Sequence, residues 1–243
     1  MKTVIFDLSG PFAHFRKFYT NSSSLSYLIP PRTVLVGLIA AVLGIERDTY
    51  YGMFSEEKLK IGVRLNRPVR RILQTLNYLK ATSLNEWINP QMHTQIPFEL
   101  LTADKGVSYR VYVAMPEMDE LLEELSIRIR EHRYYYTPYL GSASFQAHLQ
   151  LVDIVNAESF LPQDYFPCVT PVRVDALEEN GLKIMSSYSL IREKMPVDFN
   201  EERVIQNVAA YLIDEKAQAL IVFTKMPAWR MLYQGLEENI MFL

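Results

Sequence analysis

The chain has 243 residues, enough for one or two domains that bury a core without disulfide or metal staples. It is 49% hydrophobic and 22% charged with a formal net charge of −3. These values exclude a disordered chain and argue against a sequence-blind basic coat for nucleic acid, while leaving room for a local basic surface. The single cysteine, Cys168, permits no internal disulfide and suits a reducing, cytoplasmic compartment.

Thr3 to Leu8 is β-branched and apolar and ends at Ser9-Gly10-Pro11, so it reads as a buried strand rather than a signal peptide. A polar loop, Ala13 to Leu28, carries the serine cluster Ser22-Ser23-Ser24. Pro30-Pro31-Arg32-Thr33 then opens an apolar helix that stops at Gly44, with proline in the first turn and glycine at the end. Its apolar run, Val34 to Leu43, is too short for a membrane span, which needs about 20 residues. No membrane partner is therefore expected.

Leu59, Ile61, Val63 and Leu65 alternate with polar or small residues, the period of a strand packed on one face. The turn Asn66-Arg67-Pro68 leads to an extended run, Arg71 to Tyr78. Leu79 to Thr94 does not fit as core and reads as a projecting insertion. Val107 to Val113 alternates again, and its expected partner is Ile96 to Leu101 across the turn Asp104-Lys105-Gly106. Met118, Leu121, Leu122, Leu125 and Ile129 form the stripe of an amphipathic helix whose first turn is acidic. Leu149 to Val155 closes this half as a strand.

This order contains the β-α-β-β-α-β plan of a ferredoxin-like sandwich, so the fold class is α+β. The proline-rich stretch Pro162 to Pro171 divides a domain over residues 1–160 from one over 161–243. Strands are expected near Val169 to Val174, Gly181 to Leu190 and Ala219 to Thr224. Val204 to Ile213 is ambiguous, its alanines favouring helix and its Val, Ile and Tyr favouring strand.

No metal site or cofactor is expected. His14, His93, His132 and His148 lack His or Cys neighbours at ligand spacing, and there is no P-loop, nucleophile elbow or dinucleotide fingerprint. The acid pairs Glu56-Glu57, Glu123-Glu124 and Glu237-Glu238 read as solvated faces. Nothing near Cys168 in sequence would activate it as a nucleophile.

The region from Gly10 to Gly44 is more informative. Gly10 to Lys17 packs a turn, two phenylalanines, His14, Arg16 and Lys17 into one loop, and Arg32 and Thr33 stand at a helix N-terminus. Two readings are open. Either that end seats a phosphate through free N–H groups and the Arg32 fork, or Thr33 caps the helix, Arg32 is solvated, and Phe12 and Phe15 are core. Arg64, Arg67, Arg70 and Arg71 around one turn form either a basic stripe for a sugar-phosphate backbone or a solvated hairpin end. Arg128, Arg130 and Arg133, beside Tyr134-Tyr135-Tyr136, read as cations complementing a helix C-terminus.

The run Gly-Pro-Phe-Ala-His-Phe-Arg-Lys at 10–17, followed by Ile-Pro-Pro-Arg-Thr-Val-Leu-Val-Gly-Leu-Ile-Ala-Ala-Val-Leu-Gly at 29–44, resembles the N-terminal signature of the CRISPR-associated Cas-five family, in its type I-B flavour. His93 to Glu99 and Pro138 to Phe145 agree with it, and the likeness weakens beyond Pro167. The resemblance implies a RAMP-type ferredoxin-like domain with a β-hairpin thumb over 79–94, a smaller β-rich C-terminal part, and a strand at 204–213. It implies a subunit of a Cascade-type surveillance complex for antiviral defence, gripping the 5′ handle of a CRISPR RNA. Its expected partners are backbone (Cas-seven) and large (Cas-eight) subunits, with a separate processing nuclease (Cas-six) and only indirect contact with target DNA.

Under that resemblance His14, Arg16, Lys17, Tyr19, Arg32, Thr33, Arg67, Arg70, Arg71 and His93 are RNA-contact candidates, with Gly141 and Ser142 a tight loop for close backbone approach. No aromatic RNP1-like strand is present, so recognition should rest on shape, backbone and splayed bases. Type I-C relatives cut precursor RNA with an arrangement like Tyr plus Lys-His. Here no Lys-His neighbour pair exists, which favours a binder without catalysis. A metal-independent endoribonuclease using His14 near Arg16, Lys17 and Tyr19 is the alternative, and a protein-only scaffold is the third reading.

Overall fold

The computed structural model describes residues 1–243. In chain order it forms β1 (Lys2–Gly10), β2 (Phe15–Arg16), β3 (Ser26–Tyr27), α1 (Arg32–Leu43), β4 (Lys60–Leu65), β5 (Arg70–Leu79), α2 (Leu84–Ile88), β6 (His93–Thr102), β7 (Val107–Ala114), α3 (Asp119–Arg130) and β8 (His148–Asn156). There follow β9 (Glu158–Phe160), β10 (Phe166–Cys168), β11 (Val172–Arg173), β12 (Leu177–Leu182), β13 (Leu190–Phe199), β14 (Ile205–Asp214), β15 (Leu220–Thr224), β16 (Ala228–Tyr233) and β17 (Leu236–Ile240).

β1, β4, β7 and β8 make one antiparallel sheet in the order β4-β7-β1-β8, with α1 after its first strand and α3 after its third. That is the ferredoxin-like arrangement expected from the element order. α1 begins after Pro31 and ends at Gly44 in the left-handed conformation, as the proline and glycine positions dictate. The stripe Leu122, Leu125 and Ile129 of α3 is buried, and the acidic residues Asp119 and Glu120 occupy its first turn.

Two pairings differ from the expectation. β6 pairs along its whole length with β5, from Arg70 opposite Thr102 to Leu79 opposite His93, and β7 pairs instead with β1 and β4. Alternation in 96–101 and 107–113 shows that each run is a strand but carries no information on its partner. Consequently Asn66-Arg67-Pro68 joins the central sheet to a separate two-stranded ribbon and is not a hairpin turn. The insertion is also larger than 79–94, since the ribbon runs from 70 to 102 and α2 lies near its tip.

The second half is built of short sheets. Val204 to Ile213 resolves as strand β14, because Ala209, Tyr211 and Ile213 alternate inward and packing overrides the helical preference of alanine. The run Gly181 to Leu190 is broken, since β12 ends at Leu182 and β13 starts at Leu190. The expected strand at 169–174 reduces to β10 and β11 on either side of Val169-Thr170-Pro171. Here proline cannot donate to a ladder.

The two halves share their cores. Met195, Val197, Ala209, Tyr211 and Ile213 join the main cluster beneath α1. The β16–β17 hairpin lays Met231, Tyr233 and Ile240 on Ile5, Tyr112 and Ala114, covering the other face of the central sheet. A polar clamp completes that contact. Glu238 accepts from Arg64, Tyr112 and Tyr233, while Arg110 grips both oxygens of Asp7 at 2.9 and 3.0 Å. With both faces covered, β1 and β7 read as continuous apolar runs. The sheet offers no open platform for stacking bases, in keeping with the missing aromatic strand.

Candidate nucleic-acid interface

Three loops meet at the end of β1 where the ribbon leaves the body. Ala13 exchanges backbone hydrogen bonds with Leu101 of β6, at 3.0 and 2.9 Å, and His14 N–H donates to the Leu140 carbonyl at 3.1 Å. Gly141 has φ +81°, and a Cβ there would overlap the His14 carbonyl oxygen. Across the same nest a Cβ on Gly106, at φ +73°, would lie 2.5 Å from the Gly10 carbonyl oxygen. Only glycine meets both conditions of left-handed backbone and close approach. Gly141 therefore makes a tight loop as expected, but what it approaches is the chain's own 10–15 loop.

Arg32 is where the sequence reading fails most clearly. Its side chain is only 2% exposed, and its guanidinium pairs with Asp198 and donates to the carbonyls of Phe54, Leu59 and Val197. Burial pulls its pKa down while Asp198 and Glu56 pull it up. Every strong hydrogen-bonding direction except Nε is taken, so Arg32 ties α1 to the 54–59 loop and β13 and is not a surface phosphate seat. Thr33 is half-buried beside it and makes no side-chain cap.

His14 is likewise internal. Its Nδ1 donates to the Glu99 carbonyl at 2.8 Å, which leaves Nε2 to accept from the Ser24 hydroxyl at 2.9 Å, and its ring stacks on Phe98 at 4.0 Å. Desolvation holds its pKa below the usual value, so the ring is neutral near pH 7. It fastens the 10–15 loop to the ribbon and is not available to RNA.

The remaining candidates surround this root. Arg16 is exposed and donates only to the Thr20 carbonyl, at 3.2 Å. Lys17 is bound by Glu193 at 2.6 Å, and Tyr19, half exposed, reaches the same carboxylate at 3.4 Å. The Tyr19 hydroxyl is pushed up, first by burial and then by Glu193. Phe18 packs edge-on against Tyr19 and is 44% exposed.

Arg70 pairs with Asp104, Arg71 with Glu215 at 2.5 Å and Glu99 at 3.7 Å, and Arg67 donates to the Lys105 carbonyl at 3.2 Å. Arg64 faces Glu238 under the C-terminal hairpin. The four arginines therefore do not form one stripe: Arg64 belongs to the clamp, and the other three line the ribbon's root with most of their charge matched. Ser142 sits beside Gly141 at the surface. His93 is exposed opposite Leu79, far out on the ribbon.

Glu193, Glu99 and Glu215 organise the root, and nothing local in the sequence marked them, because their partners stand 28 to 176 residues away. Arg192 and Lys194 are exposed cations that the sequence reading missed. The signal was present, for they alternate with buried Glu193 and Met195 along β13. No three or more His, Cys, Asp and Glu side chains lie together as a metal would require. No helix is long and apolar enough to cross a membrane.

The sheet order, the two crossing helices and the projecting ribbon define a RAMP-like α+β protein built on a ferredoxin-like domain. The chain belongs to the family described as "CRISPR-associated protein (Cas_Cas5)", whose model matches residues 3–210 and so ends within β14. Among solved structures, a CRISPR protein from Archaeoglobus fulgidus is similar over 98% of this chain and 99% of its own, with TM-score 0.57 and 13% identity. A structure described as a Cas protein is similar over 92% and 95%, with TM-score 0.50 and 18% identity. A chain of the type III-B Cmr-beta complex bound to cognate target RNA is similar over 91% and 86%, with TM-score 0.52 and 13% identity. At such identities the likeness is one of fold. No curated protein matches the sequence.

Proposed function

We propose that this chain is a guide-RNA-binding subunit of a type I Cascade-type surveillance complex, holding the 5′ handle of the CRISPR RNA without cutting it. The observation that carries the reading is the root of the ribbon. There the glycine nest locks three loops together and leaves Arg16, Phe18, Tyr19 and the Ser142 loop at the surface of a protein whose family is CRISPR-associated. A rigid backbone, an unpaired arginine and exposed rings suit a single strand held through phosphates and splayed bases. The backbone and large subunits would pack beside it, target DNA would be met only through the guide, and a separate nuclease would supply the processed RNA.

Arg16→Ala tests the contact. With the complex or the chain bound to a labelled handle RNA, affinity is expected to fall, and the slope of log K against log salt to shrink by about one. The melting temperature is expected to stay put, since Arg16 is exposed. An unchanged slope removes Arg16 from the interface. No salt-dependent affinity at all, for the wild-type chain or its complex, would favour a protein-only scaffold.

The non-catalytic part of the reading draws support from the positions of the acid–base candidates. Both nitrogens of His14 are engaged inside the protein. On the ribbon, His93 shares the face of Leu79, opposite Tyr78, because neighbouring strand residues alternate. Lys80 N–H bonds the Met92 carbonyl at 2.9 Å, so a lysine does come beside a histidine across the ribbon, although the two are distant in sequence. Incubation of the purified chain with labelled precursor RNA in EDTA is expected to give no discrete product. A single cleavage product, lost in His93→Ala, would establish the nuclease instead.

A further inference from the structure

The ribbon changes character along its length. Its root carries Arg70 and Arg71, whereas residues 79–92 hold one lysine and one glutamate, Lys80 and Glu86, and are otherwise neutral. The two paired strands of ten residues put the far end roughly 30 Å from the root. Near that end sits α2, fixed as a turn of helix by its own cap. The Ser83 hydroxyl accepts from Glu86 N–H at 3.3 Å, and the Glu86 carboxylate accepts from Thr82 N–H at 2.6 Å.

On this short helix Leu84, Trp87 and Ile88 stand at i, i+3 and i+4, the spacing that places side chains on one face. They are 78%, 76% and 69% exposed, and Leu79 at 69% and Met92 at 63% flank them. Nothing in the chain covers this surface. An isolated two-stranded ribbon is marginal in water, and a contiguous apolar patch of this kind marks a contact.

We infer that the apolar face of α2 docks in a hydrophobic groove on another protein subunit, with Leu84, Trp87 and Ile88 as anchors. The charge pattern selects a protein over RNA as the occupant. A phosphate backbone calls for several cations, and residues 79–92 supply only Lys80, next to which Glu86 cancels the charge. A groove that accepts i, i+3 and i+4 side chains needs none. The inference rests on the reading of the chain as a subunit of an assembly and adds a division of labour along one arm, with nucleic acid at the cationic root and protein at the apolar tip.

The test is a chain carrying Leu84→Ser, Trp87→Ser and Ile88→Ser together, co-expressed with the CRISPR-associated proteins encoded beside it and a synthetic guide RNA. All three residues are exposed, so the isolated variant is expected to keep its melting temperature and its affinity for the handle RNA. Its occupancy in the purified assembly is expected to fall at least about tenfold, read by native mass, because anchors of this type dominate an interface. Trp87→Phe alone should retain most of the occupancy. Undiminished occupancy of the triple variant overturns the inference, as does a loss of handle affinity in the isolated triple variant, which would place bases on Trp87. A dimer of the isolated wild-type chain that the triple variant abolishes would also overturn it, since the occupant would then be a second copy. Absence of handle binding by the wild type, with assembly still dependent on the tip, would defeat the RNA reading and leave the docking intact.

Discussion

Arg32→Ala is expected to cost about 3 to 5 kcal/mol of stability, the range for breaking a buried, hydrogen-bonded ion pair. Asp198 would lose its cation, and the carbonyls of Phe54, Leu59 and Val197 would lose the donor that ties them to α1. For a chain of this size that corresponds to a fall in melting temperature of about 10 °C. Arg32→Lys should recover little, because one ammonium cannot reproduce a planar fork that reaches a carboxylate and three carbonyls. Thermal melts of the two variants and of Asp198→Asn check the claim. A melting temperature within 1–2 °C of wild type for Arg32→Ala would contradict it. Handle affinity, measured well below the melting point, should be nearly unchanged, which separates Arg32 from Arg16.

Gly141→Val should do comparable damage by a different route. A β-branched residue at φ +81° carries a backbone cost of about 1 to 3 kcal/mol, and its Cβ would meet the His14 carbonyl, adding overpacking of a similar size. Relief requires the 138–147 loop to separate from the 10–15 loop, which also seats the ribbon through Ala13 and Leu101. The expected outcome is a melting temperature lower by about 10 °C together with weaker handle binding, since Arg16 and Ser142 would lose their common frame. Ser142→Ala, beside it and at the surface, should stay within about 0.5 kcal/mol of wild type. If Gly141→Val melts like wild type, the nest is not the support for the root described here.

Arg32 and Gly141 also mark where sequence reasoning stops. In both cases the residue type was rightly singled out. A proline-led helix with an arginine in its first turn, and a glycine in a tight loop, are features that local chemistry announces. The partners are not local. Asp198 lies 166 residues from Arg32, and the choice between solvent, phosphate and a buried carboxylate is made by how β13 packs on α1. The same holds for Lys17, whose charge is matched by Glu193.

What the sequence determined by itself is periodic or terminal. It includes the buried strands β1, β4 and β7, the limits of α1 at Pro31 and Gly44, the acidic opening of α3, the ferredoxin-like order, and the presence of a projecting insertion. These follow from side-chain spacing and backbone preference, which act within a few residues. Only the tertiary structure decided which strand β6 joins, that the β16–β17 hairpin closes the second face of the sheet, and which cations are matched by acids and which stay free for RNA. Pairing partner, burial and ion pairing depend on residues brought together from distant parts of the chain, and no local pattern encodes them.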